Sequence, residues 1–154
     1  MKTALRWICG LSLVIALPSF AAKDNNPAAA MNSVRITIGN KVFTARLQEN
    51  VTASAFRAML PLTLRMKDLN DNEKVAELAQ KLPGEASNPG TIREGDLMIW
   101  SSQSLVLFYK TFPTSYRYAR LARIEDTTGL AEAVGAGTVT VTFDQPQEAL
   151  QQSG

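Results

Sequence analysis

LVLFYKTFPTSYRYARL, Leu105 to Leu121, places five aromatic residues, one proline and two arginines in seventeen positions of a 154-residue chain. SLVLFY (Ser104 to Tyr109) has the length and the β-branched and aromatic content of a buried strand. KTFPTS breaks it, and YRYARLARI (Tyr116 to Ile124) reads as the next strand. With a strand period of two, Tyr116, Tyr118 and Arg120 share one face, and Arg117, Ala119, Leu121 and Arg123 share the other. Rings supply contact area and a guanidinium supplies directed donors, so the first face suits a peptide or a carbonyl-bearing ligand. Alternatively these tyrosines pack across strands against Tyr109 or Phe108, with Arg120 lying over a ring.

The flanking sequence repeats the strand pattern. VRITI (Val34 to Ile38) and VFTARL (Val42 to Leu47) alternate around Gly39-Asn40, a turn pair that accepts positive φ. TASAFRAML predicts a short helix capped by Thr52, stopped by Pro61, and burying Ala55, Phe56, Met59 and Leu60. LTLRM (Leu62 to Met66) alternates, Asp68 to Asn72 is a polar turn, and EKVAELAQKL fits either a helix or a strand. Asn88-Pro89-Gly90 is a turn, and DLMIW (Asp96 to Trp100) pairs with SLVLFY across Ser-Ser-Gln. DTTGLAEAV predicts a second helix, ended by Gly135 and Gly137, before the strand TVTVTF (Thr138 to Phe143). Seven or eight short strands with two helices argue for a closed antiparallel barrel or a sandwich over 34–144.

The ends read differently. Lys2 and Arg6 precede an uncharged apolar run, Trp7 to Leu17, then Pro18 and small residues, which is the order of a secretory signal peptide over 1–22, cut after Ala21 or Ala22. The run is about eleven residues, short of the roughly 20 that span a bilayer. Residues 23–33 read as a flexible leader and 145–154 as a polar tail. The expected location is therefore outside the cytoplasm, periplasmic or secreted, with no membrane contact after cleavage.

Cleavage would remove Cys9, the single cysteine, so the mature domain is expected to hold by its core alone. It would also reduce sixteen basic residues to fourteen, equal to the fourteen acidic ones. Scattered charges with no net excess argue against nucleic-acid capture. With no histidine in the chain, Ser-His-Asp and Cys-His nucleophiles and His-based zinc sites are excluded. Asp68, Asn70 and Asn72 alternate like calcium-loop ligands, but that loop needs Gly and Glu where Glu73 and Ala79 stand. Gly135-Ala-Gly137 follows a helix, the reverse of a phosphate-binding order. No metal and no cofactor is expected.

Three stretches, Met59 to Lys74, Ser87 to Trp100 and Leu105 to Phe143, together resemble the bacterial cyclophilin-like domain family, whose functions are largely uncharacterised. The resemblance implies a mainly-β fold, a closed eight-stranded antiparallel barrel with two short helices, and makes Glu73 to Leu78 a strand. True cyclophilins isomerise prolyl peptide bonds. An arginine hydrogen-bonds the prolyl nitrogen and weakens the resonance behind a barrier of ~20 kcal/mol. They carry a Phe-His-Arg run on the third strand and a Phe-Met-x-Gln run after it. Here that strand reads Thr63-Leu64-Arg65-Met66, with Arg65 in the arginine's place, Leu64 in the histidine's, and no Phe-Met-x-Gln following. The expectation is an exported domain that binds a peptide or small ligand near Tyr109, Phe112, Tyr116, Tyr118 and Arg120. The alternatives are a weak prolyl isomerase using Arg65 or Arg120, and a structural or protein-interaction module. The oligomeric state stays open.

Overall fold

A computed structural model describes residues 26–146. The signal-like segment and most of the polar tail lie outside these residues. Among the described residues, no helix is long and apolar enough to cross a membrane.

The strands are β1 (Ser33–Ile38), β2 (Lys41–Leu47), β3 (Leu62–Leu69), β4 (Glu73–Glu77), β5 (Thr91–Ile92), β6 (Asp96–Trp100), β7 (Ser104–Phe108), β8 (Phe112–Pro113), β9 (Ala119–Ile124) and β10 (Val139–Asp144). Eight of them close a barrel in the order β1-β10-β3-β4-β7-β6-β9-β2, and β5 pairs with β8 outside it. Every pairing is antiparallel. The alternative of an open sandwich is thereby settled in favour of closure, which leaves no unpaired barrel edge.

Alternation fills the interior. Val34, Ile36 and Ile38 of β1, Leu97 and Ile99 of β6, Leu105 and Leu107 of β7, and Val141 and Phe143 of β10 belong to one buried cluster. Helix α2 (Val51–Arg57) covers the end where Phe143 pairs with Leu62, and Phe56 meets the Phe143 ring edge-on at 5.8 Å. Helix α3 (Leu130–Val134) buries Leu130 and Val134, and its trailing glycines reach the opposite end.

Several local expectations need correction. Among the described residues there are three short helices, because Pro27–Met31 of the presumed leader form α1, with Pro27 in its first turn and Asn26 accepting from Ala28 N at 3.1 Å. Asn50, not Thr52, caps α2 by accepting from Ala53 N at 2.8 Å. The Thr52 hydroxyl instead donates to Pro83 O at 2.7 Å. The helix buries Thr52, Ala53 and Phe56, while Ala55, Met59 and Leu60 are only partly buried. The strand expected from Tyr116 starts at Ala119, because Tyr118 turns aside to bridge Ser87. A register shift between Leu97 and Met98 on β6 then breaks strict alternation along β9.

Candidate functional site

Strand β4 carries opposite chemistries on its two faces. Lys74 points into the barrel and is fully buried, at 0% exposure, while its neighbour Glu73 points outward. The Lys74 ammonium donates to Gly135 O at 2.8 Å and Gly137 O at 2.6 Å, and it meets Asp68 Oδ1 at 2.9 Å. The Tyr109 hydroxyl donates to the same Asp68 oxygen at 2.6 Å, and Lys74 Nζ lies 5.5 Å from the Tyr109 ring centre. The Tyr109 hydroxyl and the Lys74 ammonium hold the Asp68 carboxyl below its ordinary range. Burial, reinforced by Asp68, pushes the Tyr109 phenol well above its own. This network closes one end of the barrel, and its polar groups have partners. It is structural.

Outside the barrel a second buried cluster, Ile92, Met98, Val106, Phe108 and Tyr118, covers the outer faces of β6 and β7. Phe108 is its hub: the Tyr118 ring meets it edge-on at 5.6 Å and the Phe112 ring is tilted at 5.8 Å. β7 is consequently buried on both faces, from Ser104 to Phe108.

Beside this cluster lies an open groove of ≈ 310 Å³. Its floor is Val75 and Val106, and its walls are Leu69, Trp100, Tyr116 and Tyr118. Glu73, Val75 and Glu77, all on the outer face of β4, run along it for about 13 Å at a strand rise of ~3.3 Å. Three of the wall residues are unusually exposed for their type, Leu69, Trp100 at 48% and Tyr116 at 65%. Among the described residues, no arginine or lysine lines the groove.

The two carboxylates differ. Glu77 is exposed and accepts a hydrogen bond from the Ser104 hydroxyl. Glu73 is 9% exposed, and among the described residues it receives no side-chain hydrogen bond and no ion pair. Burial pushes the Glu73 carboxyl above its ordinary range, and the negative charge of Asp68 adds to the effect. Burial likewise raises the Tyr118 phenol, followed by the Glu73 charge.

Of the residues expected at a site, the groove takes Tyr116 and Tyr118 into its lining. Tyr109 belongs to the barrel-end network, and Phe112 packs against Phe108. Arg120 is exposed in a separate cleft of ≈ 220 Å³ with Gln48, Arg93, Asp96 and Arg123. Asp96 there accepts from Arg123 Nε at 2.9 Å and from Arg93 N at 2.8 Å. Tyr118 and Arg120 therefore part company, because the strand begins between them. Arg65 is exposed on β3, across from Thr140. Glu73, Glu77, Trp100 and Ser104 were not anticipated. The readable signal was Val75 flanked by two glutamates at strand spacing.

A family model described as the cyclophilin-like family matches residues 36–144. The chain belongs to the cyclophilin-like family. A search of curated proteins returned no match. Among solved structures, this cyclophilin-like chain is similar to the solution structure of a hypothetical protein from Archaeoglobus fulgidus, at 18% identity and a TM-score of 0.51. The match covers 74% of this chain and 94% of that one. At that identity the likeness supports the barrel fold and nothing finer. Among the described residues, no group of three or more His, Cys, Asp or Glu side chains is placed to hold a metal ion.

Proposed function

We propose that this cyclophilin-like domain is exported and works by binding, holding a short peptide or small ligand in the groove over β4 and β7 without transforming it. The supporting observation is the groove itself: an apolar floor, with Trp100 and Tyr116 left exposed along its walls. Exposing large rings costs solvation unless a partner covers them, and rings of this kind anchor ligands at modest entropic cost. Among the described residues, prolyl isomerisation as a guanidinium-assisted reaction has no donor in this lining, since Arg120 lines another cleft and Arg65 is not a lining residue.

The test is an isotope-labelled NMR titration with acetylated, amidated Ala-Leu-Leu-Ala. Shifts should concentrate on Trp100, Tyr116 and Val75, and Tyr116→Ala should weaken binding at least fivefold. Shifts centred instead on Arg93 and Arg120 would overturn the assignment. A protease-coupled assay on an Ala-Pro peptide should show no acceleration, and a catalysed rate would revive the isomerase reading.

A further inference from the structure

The groove holds a carboxylate that the described residues leave unanswered. Glu73 is more than nine-tenths buried, lines the groove, and has no cation or hydrogen-bond donor among the described residues. The nearest cation in sequence, Lys74, is on the opposite face of β4 and fully committed to Asp68, Gly135 and Gly137. The Glu73 side chain is packed along its stem while its carboxylate oxygens still reach the open groove, and a partly desolvated acid without a protein partner is the kind of group that concentrates at functional sites. Glu77, by contrast, is solvated and already takes a hydroxyl from Ser104.

The surroundings specify the missing partner. Among the described lining residues a carboxylate or phosphate would meet two glutamates and no basic side chain, so an anionic ligand is disfavoured in the groove. A protonated amine or guanidinium would instead pair with Glu73 while its stem lay on Val75 and Val106. The exposed ring of Tyr116, also in the lining, adds quadrupole attraction for a cation. The groove is open rather than enclosed and follows a strand for about 13 Å, the length of three or four extended residues. These dimensions favour a chain over a compact molecule.

We infer that the occupant is an extended peptide segment carrying a basic side chain next to an apolar one, with Glu73 as the anchor for its cation. This inference rests on the groove being the binding site, and it makes the ligand's charge the discriminating property.

The experiment follows the Trp100 indole N–H of isotope-labelled protein through titrations with acetylated, amidated Ala-Leu-Lys, Ala-Leu-norleucine and Ala-Leu-Glu. The lysine peptide is expected to bind at least tenfold more tightly than its norleucine isostere, and the glutamate peptide most weakly. Glu73→Gln should bring the lysine peptide to the level at which that same variant binds the norleucine peptide, whereas Glu77→Gln should retain most of the preference. Equal binding of lysine and norleucine peptides by the native protein would overturn the cation inference while leaving the groove in place. A lysine preference that survives Glu73→Gln would overturn Glu73 as the anchor. Butylamine alone binding as tightly as the lysine peptide would overturn the peptide as occupant. If none of the three peptides moves Trp100, the groove reading falls together with the inference.

Discussion

Lys74→Met tests how the barrel end is held. The substitution keeps an unbranched apolar stem of similar length and removes only the ammonium, so a large cavity is not created. What disappears is an ion pair to Asp68 at 2.9 Å and two charge-assisted hydrogen bonds to Gly135 O and Gly137 O. Hydrogen bonds to charged groups contribute roughly 1.5–3 kcal/mol each. Removing one partner of a buried pair typically costs about 3–5 kcal/mol, because the other is stranded. Asp68 keeps its Tyr109 and Asp71 donors, which limits the stranding to a single charge. The expected loss is therefore about 3–5 kcal/mol, a large share of the ~5–15 kcal/mol available to a domain. Urea unfolding should show it as a midpoint lowered by roughly 2 M at an unchanged slope of ~1–3 kcal/mol/M. The pH dependence should change with it. Asp68 has a lowered folded pKa, so its contribution is present above the ordinary carboxylate range near ~3.9 and is lost as pH falls through the folded value. In Lys74→Met that acid-sensitive part should shrink. A loss below about 1 kcal/mol, with the acid dependence intact, would refute the reasoning that a buried ammonium organises this end.

Glu73→Gln should leave the domain at least as stable as the native protein at pH 7. The Glu73 carboxyl is raised in the fold, with Asp68 adjacent and Tyr118 and Glu77 also facing the groove, so its folded state gains on protonation. That relative stability is full below the unfolded value and lost as pH rises through the folded one, so the advantage of glutamine should fade towards pH 4 in thermal melts. Tyr118→Ala should cost about 3–5 kcal/mol as a core deletion, whereas Tyr116→Ala, at 65% exposure, should stay within about 0.5 kcal/mol. Equal losses would merge groove and core. Asn50→Ala should cost about 1–2 kcal/mol in chemical denaturation, since its side chain both caps α2 and donates to Arg120 O at 2.9 Å. N-terminal sequencing of protein recovered from the periplasm of a Gram-negative host should begin at Ala22 or Lys23, and an intact Met1 would remove the export proposal.

The parts of the fold legible in sequence were those set by local pattern. β6 runs Asp96–Trp100 as read, and the β1–β2 hairpin turns at Gly39-Asn40, where Ile38 pairs with Lys41. In both, alternation and turn chemistry agree. β9 was misread at its start because Tyr116, Arg117 and Tyr118 carry the same alternation as the strand that follows. What ends the ladder there is the bridge to Ser87, and a partner that distant leaves no trace in the local pattern. The groove was half-legible for a similar reason. Its tyrosines sit in an aromatic run that draws attention, whereas Glu73, Trp100 and Ser104 are unremarkable outward residues until β4, β6 and β7 stand side by side. That Glu73 goes unanswered depends on which cations fold nearby, and only the assembled barrel decides that.

The burial of β7 on both faces also bears on the chain before it folds. Ser104 to Tyr109 is six residues of high β-propensity with no charge, proline or glycine, the composition from which cross-β assemblies start. In the closed barrel β7 is flanked by β4 and β6 and covered by Tyr118, so this segment presents no free edge for self-association. The liability belongs to the unfolded chain, with Lys110 beside the segment as its nearest charged gatekeeper. Any substitution that opens the barrel end near Lys74 should therefore be noticed first as insoluble protein, before any change in what the groove binds.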